Sequence, residues 1–381
     1  MPPWRRPPAW HRLHVADVVL DLLDRRPIWA IPDWAIAEIR AALPQGWTLH
    51  AATTPADGSG DGRGTGPSAE VLEAVRDARV YIGFGVPPEV LEAGADTLKW
   101  VHTGAAGVGS SLHPAMRASS VRFTNSAGIH GPPMAETVLA MLLHFFRGLD
   151  LAAEGQREGR WNSAPFYHAD TPVRELSSAT VGIVGYGGIG REVGTRVRAL
   201  GARVIGLRRR PPTAPPPEGV EILHGLGEGG LGEGGPGDAG HEGGIPGGGG
   251  LGSLLERSDA VVVAAPETPE TRGLLGREAL ARLRPGAVLV NVARGSLVAE
   301  AAMVEALRSG HLRGAGLDVF RTEPLPASSP LWSLPNVLIT PHVSGVSRGF
   351  WRREVDLILE NLGRWRRGEP LRNEVDRAAG Y

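Results

Sequence analysis

A glycine-rich turn joins an apolar strand to a helix near the middle of the chain. The run VGIVGYGGIGREV begins at Val181, and its glycines follow the pattern G-x-G-x-x-G. The residues before the turn are apolar, and those after it are apolar at spacings of three and four, as on one face of a helix. A strand, a glycine turn and a helix in this order predict a dinucleotide-binding turn.

The glycines of this turn have separate predicted tasks. Gly185 permits the tight reversal, Gly187 lets the backbone approach a pyrophosphate, and Gly190 allows the helix to pack closely on the strand. The phosphates are then expected at the positive N-terminal end of the helix. The predicted cofactor contacts of the turn are Gly185, Gly187, Gly188, Ile189 and Gly190.

Length, charge and cysteine content exclude several classes of function. A chain of 381 residues can form two domains, and its net charge of -1 favours a small-molecule partner over a nucleic acid or an anionic membrane. The absence of cysteine excludes disulfides, thiolate zinc sites and cysteine nucleophiles. The most apolar stretch, Met134 to Phe146, is too short to span a bilayer, and no signal peptide is indicated. We therefore expect a soluble, cytoplasmic protein.

From Val181 onward, apolar runs alternate with helical patterns. This alternation predicts a doubly wound parallel sheet, the Rossmann fold, with helices on both faces. The predicted strands are Val181 to Val184, Arg203 to Leu207, Val220 to Leu223, Ala260 to Ala264, Ala287 to Val292, Gly314 to Val319 and Val337 to Ile339. The predicted helices are Gly188 to Leu200, a short helix around Leu254, Arg277 to Leu283 and Glu300 to Ser309.

The first 130 residues show a looser alternation, which predicts a second, smaller α/β domain. Its predicted strands are Val18 to Leu23, Trp47 to Ala51, Val80 to Phe84 and Lys99 to Thr103, and its predicted helices are Trp34 to Leu43 and Ala69 to Arg76. A helix from Met134 to Arg147 follows, and it is apolar around most of its circumference. Such a helix must be buried, either in an interdomain or subunit contact or as an ordinary core helix.

Two stretches are predicted to lack regular structure. Thr53 to Pro67 is polar and glycine-rich, which indicates a surface loop. In Gly225 to Gly252, 16 of 28 residues are glycine. This stretch cannot bury enough apolar surface to offset its ordering entropy, so we interpret it as a disordered insertion. We favour the interpretation that this insertion is a tolerated loop expansion over the alternative that it forms a lid.

Three residues that could carry chemistry each follow a predicted strand, where ligands bind in open α/β sheets. Arg294 offers a planar fork of donors for a carboxylate, and His342 can exchange a proton near neutral pH. Glu323 would hold the imidazole and favour its charged form. On local chemistry alone, a shared site and three unrelated surface or turn roles both stay open.

From about Lys99 onward, except in the glycine-rich insertion, the chain resembles the D-isomer-specific 2-hydroxyacid dehydrogenases, which include phosphoglycerate dehydrogenase and the glyoxylate/hydroxypyruvate reductases. The resemblance rests on five ordered motifs: VGIVGYGGIG, SDAVVVAAPETPETRGLLG, PGAVLVNVARGSLV, GLDVFRTEPLP and ITPHVSG. It implies a Rossmann dinucleotide domain over residues 131–344 and a discontinuous, flavodoxin-like substrate domain over 1–130 and 345–381.

The resemblance also implies residue roles. Arg294 would hold the substrate's carboxylate and carbonyl, and His342 would be the general acid/base with Glu323 as its partner. Asp318 would lie near the nicotinamide. No metal would be needed, because Arg294 would polarise the carbonyl. The implied carboxylate cradle is formed by the backbone of Gly104, Ala105, Ala106 and Gly107. The remaining cofactor contacts expected in this way are Pro266, Thr271 and Ala293.

The cofactor prediction comes from the end of the second strand after the turn. An NAD-preferring enzyme usually has an acidic residue there, whereas this chain has Arg208, Arg209 and Arg210. Arginines pair with a 2′-phosphate through charge-assisted bonds, so we predict that NADP is preferred and NAD is the alternative. The competing interpretation is that the arginines only solvate a turn before Pro211.

These observations together predict an NAD(P)-dependent reductase of small 2-ketoacids such as glyoxylate or hydroxypyruvate, with a D-2-hydroxyacid as product. A symmetric homodimer is expected. One alternative is a non-catalytic protein that senses dinucleotides on the same fold. The other is a dehydrogenase of the formate or phosphite type.

Overall fold

The computed structural model describes residues 16–55, 66–209, 215–225 and 250–380. The protein divides into two compact units. Unit 1 comprises Met1–His130 and Val346–Tyr381, and unit 2 comprises Gly131–Gly345. Among the helices of the described ranges, none combines the length and the apolar composition that crossing a membrane requires.

Unit 1 contains a parallel sheet with helices between its strands. The strands are β1 (Val18–Asp21), β2 (Leu49–Ala51), β3 (Val80–Gly83), β4 (Trp100–Thr103) and β5 (Arg122–Asn125). The helices are α1 (Asp33–Ala42), α2 (Ala69–Val75), α3 (Pro88–Ala93) and α4 (Pro114–Ala118). Over the described residues the strand order is β2-β1-β3-β4-β5, which is the flavodoxin-like order. The predicted fold class of this part is confirmed.

Unit 2 contains the larger parallel sheet. Its helices are α5 (Gly131–Phe146), α6 (Leu149–Arg157), α7 (Ala164–Tyr167), α8 (Gly188–Ala199), α9 (Gly250–Arg257), α10 (Arg277–Ala281) and α11 (Glu300–Arg308). Its strands are β6 (Thr180–Val184), β7 (Arg203–Arg208), β8 (Val220–His224), β9 (Ala260–Val263), β10 (Ala287–Asn291), β11 (Leu312–Leu317) and β12 (Val337–Ile339). In the part of the chain that is described, the order is β12-β11-β10-β9-β6-β7-β8. The order reverses beside β6, as in a Rossmann fold.

The strands of unit 2 are apolar on both faces because both faces are covered. In β9, Ala260 and Val262 belong to one core cluster, while Val261 and Val263 belong to the other. Successive side chains of a strand point to opposite faces, so a strand buried on both sides has no polar alternation. The continuous apolar runs in the sequence therefore had a structural cause.

Helix α5 packs within unit 2. Its Met141 and Phe145 are buried in the same core cluster as β6 and β10. Two glycines of β11 make room for them, because a Cβ at Gly314 would meet the Phe145 ring and a Cβ at Gly316 would meet Met141. Of the two interpretations of this helix, the ordinary core helix is the one supported.

Helix α12 (Phe350–Arg367) returns to unit 1 after the last strand of unit 2. Its buried residues Phe350, Val355 and Ile358 join the core cluster that also contains residues of β1 and α1. The opposite face of this helix is charged, and Arg352 forms ion pairs there with Glu38 and Asp356. The sequence pattern after the last strand predicts a helix from Phe350 to Arg367, and these are its observed bounds.

The glycine-rich insertion ends earlier than predicted. Gly250, Leu251 and Gly252 belong to α9, and Leu251 is fully buried. The sequence prediction was wrong at these positions because glycine content masked the stripe formed by Leu251, Leu254 and Leu255, which packs against the sheet. Residues 226–249 of the predicted insertion and 56–65 of the predicted surface loop lie outside the described residues.

Candidate active site

The glycine turn follows β6 at the point where the strand order reverses. Gly185 has a positive φ of 96°, and a Cβ there would lie 2.5 Å from the backbone of Ala265. A Cβ at Gly190 would overlap the carbonyl oxygen of Gly185. A Cβ at Gly187 would meet no described atom within 4 Å. Two of these glycines therefore serve the fold, whereas the open side of Gly187 fits the approach of a pyrophosphate.

Tyr186, the second residue of the turn, has a role that the sequence motif did not indicate. Tyr186 is 4% exposed and packs against Gly194 and Gly206. A Cβ at Gly194 would lie 2.7 Å from the phenol oxygen, and one at Gly206 would lie 2.6 Å from a ring carbon. Burial raises the pKa of the Tyr186 phenol, and Arg198 and Arg191 partly oppose this shift. The phenol therefore stays protonated at neutral pH. The glycines at 194 and 206 were the available signal in the sequence.

Glu323 and His342 are brought together. His342 Nδ1 lies 2.7 Å from Glu323 Oε2, and Glu323 Oε1 accepts a hydrogen bond from the backbone N–H of Phe320 at 2.9 Å. Within the described residues, His342 Nε2 has no hydrogen-bond partner. The His342 side chain is 41% exposed and the Glu323 side chain is 33% exposed. The carboxylate thus fixes one ring nitrogen and leaves the other available for proton exchange.

The segment that carries His342 is held by a buried carboxylate. Asp318 is fully buried, and its oxygens accept hydrogen bonds from the Thr340 hydroxyl at 2.6 Å and from the backbone N–H of Val343 at 2.9 Å. The backbone N–H and the hydroxyl of Ser344 also donate to it. The N–H of His342 donates to the Asp318 carbonyl at 2.8 Å. Asp318 therefore organises the whole turn, in which His342 has a positive φ of 55°.

Arg294 follows β10, the strand next to β11. Asn291 organises this turn: its Nδ2 donates to the Arg294 carbonyl at 3.0 Å, and its Oδ1 accepts from the N–H of Ala293. The Arg294 guanidinium donates to the Ala293 carbonyl at 2.7 Å. In the described part of the chain, no hydrogen bond or ion pair joins Arg294 to Glu323 or His342.

The placement of the three residues follows from the sheet. Strands β10, β11 and β12 are parallel neighbours, and Arg294, Glu323 and His342 each follow the carboxyl end of one of them. Gly295 draws two of these turns together, because a Cβ there would overlap the backbone of Phe320. Sequence reasoning did not identify Gly295, although the pattern ARGSL contained it.

Further predicted cofactor contacts follow β7 and β9. Arg208 ends β7, and Arg209 is ion-paired with Glu270, with 3.0 Å between Nη1 and Oε2. Arg210 lies outside the described residues. The Thr271 hydroxyl donates to the Pro266 carbonyl at 2.7 Å and accepts from the N–H of Thr268 at 2.8 Å. The Thr271 hydroxyl therefore stabilises the conformation of the loop after β9.

In unit 1, the loop after β4 presents a smaller amide set than predicted. The N–H of Gly104 donates to the Gly83 carbonyl at 2.8 Å, and the N–H of Ala105 donates to the Thr103 hydroxyl at 3.3 Å. The N–H groups of Ala106 and Gly107 have no hydrogen-bond partner among the described residues. Ala106 is half-buried and Gly107 is exposed.

Comparison with known proteins agrees with the motifs. The family model of the D-isomer specific 2-hydroxyacid dehydrogenase NAD-binding domain matches residues 139–223 and 246–344. The chain is 34% identical to glyoxylate/hydroxypyruvate reductase A of Escherichia fergusonii over 325 residues, which cover 83% of this chain and 93% of that protein. The chain belongs to the D-isomer specific 2-hydroxyacid dehydrogenase family. It is therefore an NAD(P)-dependent oxidoreductase that acts on CH–OH groups.

Other relatives of this 2-hydroxyacid dehydrogenase differ in length. D-3-phosphoglycerate dehydrogenase of Mycobacterium tuberculosis is 37% identical over 278 residues, which cover 73% of this chain and 45% of that protein. This chain thus matches less than half of the phosphoglycerate dehydrogenase.

Solved structures of the family share the fold. A D-isomer specific 2-hydroxyacid dehydrogenase from Xanthobacter autotrophicus Py2, in complex with NADPH and MES, has 32% identity and a TM-score of 0.73, covering 97% of this chain and 100% of that one. An NADPH-dependent glyoxylate/hydroxypyruvate reductase from Sinorhizobium meliloti, in complex with NADP and sulfate, has 26% identity and a TM-score of 0.70. It covers 96% of this chain and 100% of that one.

Proposed function

We propose that this dehydrogenase works as an NADPH-dependent reductase of small 2-ketoacids and forms D-2-hydroxyacids. The observation that carries the proposal is the Glu323–His342 pair, in which a carboxylate holds Nδ1 and Nε2 stays open to a substrate. A protein that only senses dinucleotides has no need of such a pair. The formate or phosphite alternative needs no proton donor for a carbonyl oxygen.

In the reducing direction, His342 acts as the general acid. Its Nε2–H donates a proton to the carbonyl oxygen of the substrate, while Glu323 stabilises the charged ring through Nδ1–H. Bound NADPH supplies the hydride to the carbonyl carbon. The imidazole is left neutral after the step, and solvent restores its proton.

Arg294 and two backbone amides orient the substrate. The guanidinium of Arg294 matches the geometry of a carboxylate next to a carbonyl and polarises the carbonyl oxygen. The free N–H groups of Ala106 and Gly107 provide further donors for the carboxylate. Of the four predicted loop positions, these two are the ones we retain as donors.

We propose NADP as the preferred cofactor. Arg208 and Arg209 stand at the end of β7, where an acidic residue would repel a 2′-phosphate. Glu270 neutralises Arg209 in the structure, and a bound 2′-phosphate would compete with it for the guanidinium. The NADPH and NADP complexes of the Xanthobacter and Sinorhizobium proteins support the same choice. Use of NAD remains part of the proposal as the weaker activity.

Glyoxylate and hydroxypyruvate are the proposed substrates, since the Escherichia and Sinorhizobium relatives carry these names. A cytoplasmic homodimer stays a prediction. It rests less on α5 than the sequence suggested, because α5 is a core helix of unit 2. The segment after α6 supports it better, because Trp161 is 99% and Tyr167 is 86% exposed.

A panel of 2-ketoacids with NADPH and with NADH, followed by loss of nicotinamide absorbance, tests the proposal. We expect turnover of glyoxylate or hydroxypyruvate, with the higher kcat/KM for NADPH. Tight NADPH binding without turnover of any ketoacid would instead support the sensing alternative. Reduction of NAD(P) by formate or phosphite would support the second alternative.

A further inference from the structure

The carboxyl end of β5 holds the loop that follows β4. The backbone N–H of Ser126 donates to the Ala105 carbonyl at 3.2 Å, and Asn125 Nδ2 donates to the Ala106 carbonyl at 2.8 Å. Asn125 is itself fixed, because its Oδ1 accepts from the backbone N–H of Ala127 at 3.1 Å. The carbonyl groups of two successive loop residues, Ala105 and Ala106, are therefore held by two successive residues, Ser126 and Asn125.

These contacts decide where the free amides point. In a trans peptide, the C=O of one residue and the N–H of the next point in opposite directions. Holding the Ala105 carbonyl towards Ser126 turns the N–H of Ala106 away from it. Holding the Ala106 carbonyl towards Asn125 turns the N–H of Gly107 the same way. The two N–H groups without partners thus face one side because of Asn125 and Ser126.

Ser126 is anchored in turn by a buried polar cluster. Its hydroxyl donates to Glu354 Oε2 at 2.7 Å, and His102 Nε2 lies 3.0 Å from Glu354 Oε1. Ser126, His102 and Glu354 are all fully buried. A buried carboxyl group is costly unless its hydrogen bonds are made, and replacing a buried charged cluster by apolar side chains is often neutral for stability. Stability alone therefore does not explain why these polar residues lie in the core.

The hydrogen-bond inventory of the cluster leaves little rotational freedom. The Trp100 indole N–H donates to the Thr124 hydroxyl at 2.8 Å, so that hydroxyl can donate its own proton to His102 Nδ1, also at 2.8 Å. Nε2–H of His102 is then the donor to Glu354. Both ring nitrogens of His102 and both carboxyl oxygens of Glu354 are hydrogen-bonded. Glu354 of α12 therefore holds the Ser126 side chain in one orientation.

We propose that Asn125 and Ser126 are positioning residues that aim the N–H groups of Ala106 and Gly107 at the carboxylate of the substrate. Glu354 and His102 hold Ser126 in place for this task. The inference rests on the proposed function, because its ligand is the carboxylate of a 2-ketoacid. It assigns substrate affinity to residues that touch neither the substrate nor the cofactor.

The test compares Asn125→Ala and Ser126→Ala with the unmodified protein on two substrates, glyoxylate and its primary amide, glyoxylamide. Loss of charge-assisted hydrogen bonds should raise KM for glyoxylate about tenfold or more, with a much smaller change in kcat. KM for glyoxylamide should change less, because its neutral amide oxygen accepts weaker hydrogen bonds than a carboxylate does. A merely structural defect would affect both substrates alike.

Tyr81→Phe is the matched control, because it removes a buried hydrogen bond of the same sheet, from Tyr81 to Asp21 at 2.8 Å, and leaves the contacts of Asn125 and Ser126 intact. Binding of oxalate to the NADP-loaded protein by calorimetry gives a readout without turnover. Weaker oxalate binding by both alanine variants, but not by Tyr81→Phe, supports the proposal. Equal losses with both substrates, or unchanged oxalate affinity, overturn it while leaving the reductase proposal intact. An unmodified protein that neither binds oxalate nor reduces any 2-ketoacid overturns both.

Discussion

Glu323 Oε2 lies 2.7 Å from His342 Nδ1, and the other oxygen of the same carboxylate is held by the backbone N–H of Phe320 at 2.9 Å. The ring is therefore fixed from one side by a group that is itself fixed by the main chain. Only Nε2 remains for chemistry. This relationship supports the proposed catalytic role of His342 over a simple dinucleotide-binding module.

Replacement of His342 by Gln should lower kcat for ketoacid reduction by about 10² to 10⁴, the usual contribution of a general acid. NADPH binding should persist, because the glycine turn is untouched, and nicotinamide fluorescence checks this. His311→Gln is the control, since His311 bonds the Leu280 carbonyl just before β11, at the opposite end of that strand from the Glu323 turn. Retention of full kcat by His342→Gln would remove His342 from the mechanism.

Asp318→Asn should both destabilise unit 2 and reduce activity. The carboxylate accepts hydrogen bonds from Thr340, Val343 and Ser344, and an amide NH₂ facing these donors leaves at least one of them unpaired. The expected loss is about 1–3 kcal/mol in the free energy of unfolding, measured by urea denaturation. Thr340→Val removes one donor only and should cost less. Equal stability of Asp318→Asn and the unmodified protein would contradict the anchoring role.

The glycine turn allows a paired test. Gly187→Ala should fold normally, because its Cβ meets nothing within 4 Å, but should weaken NADPH binding by obstructing the pyrophosphate. Gly190→Ala should lower the thermal midpoint, because its Cβ would overlap the Gly185 carbonyl. Thermal unfolding with and without NADPH distinguishes the two variants. NADPH affinity unaffected by Gly187→Ala would place the cofactor elsewhere.

Cofactor preference should depend on the end of β7. Arg208→Ala combined with Arg209→Ala should reduce kcat/KM with NADPH by about tenfold or more and leave the value with NADH nearly unchanged. Arg203→Ala, at the exposed start of the same strand, is the matched control. Glu270→Gln should shift preference further towards NADPH, because it removes a carboxylate that would compete with the 2′-phosphate for Arg209. Equal losses with the two cofactors would indicate that the arginines do not read the 2′-phosphate.

The stability of unit 1 should carry a pH signature from Asp21. Burial raises the pKa of this carboxyl above its ordinary value of 3.8, the hydrogen bond from Tyr81 opposes the shift, and Glu70 adds to it. The folded state then binds the proton more tightly than the unfolded state, so stability falls as pH rises through the range above 3.8. Asp21→Asn should lose this decline. If the free energies of unfolding of the two proteins change with pH in the same way from pH 4 to about 7, the prediction is wrong.

The elements that local patterns predicted well are those whose cause is local. The run at β9 is apolar at every position because helices cover both faces of the sheet, and that coverage is visible in the residues themselves. Likewise α12 has an apolar face and a charged face, and its predicted span matches the structure. Helix α9 shows the opposite case, because Gly250 and Gly252 concealed Leu251, which packs on the sheet together with Leu254 and Leu255.

The doubly wound class, the glycine turn and the positions of Arg294, Glu323 and His342 after predicted strands could be deduced from the sequence, because parallel strands place their carboxyl ends at one edge. Which amides of the loop after β4 stay free could not. That outcome depends on Asn125 and Ser126, and Ser126 depends on Glu354, which is 228 positions away in the chain. A hydrogen-bond partner is chosen by packing across the sheet, and spacing along the chain carries no information about it.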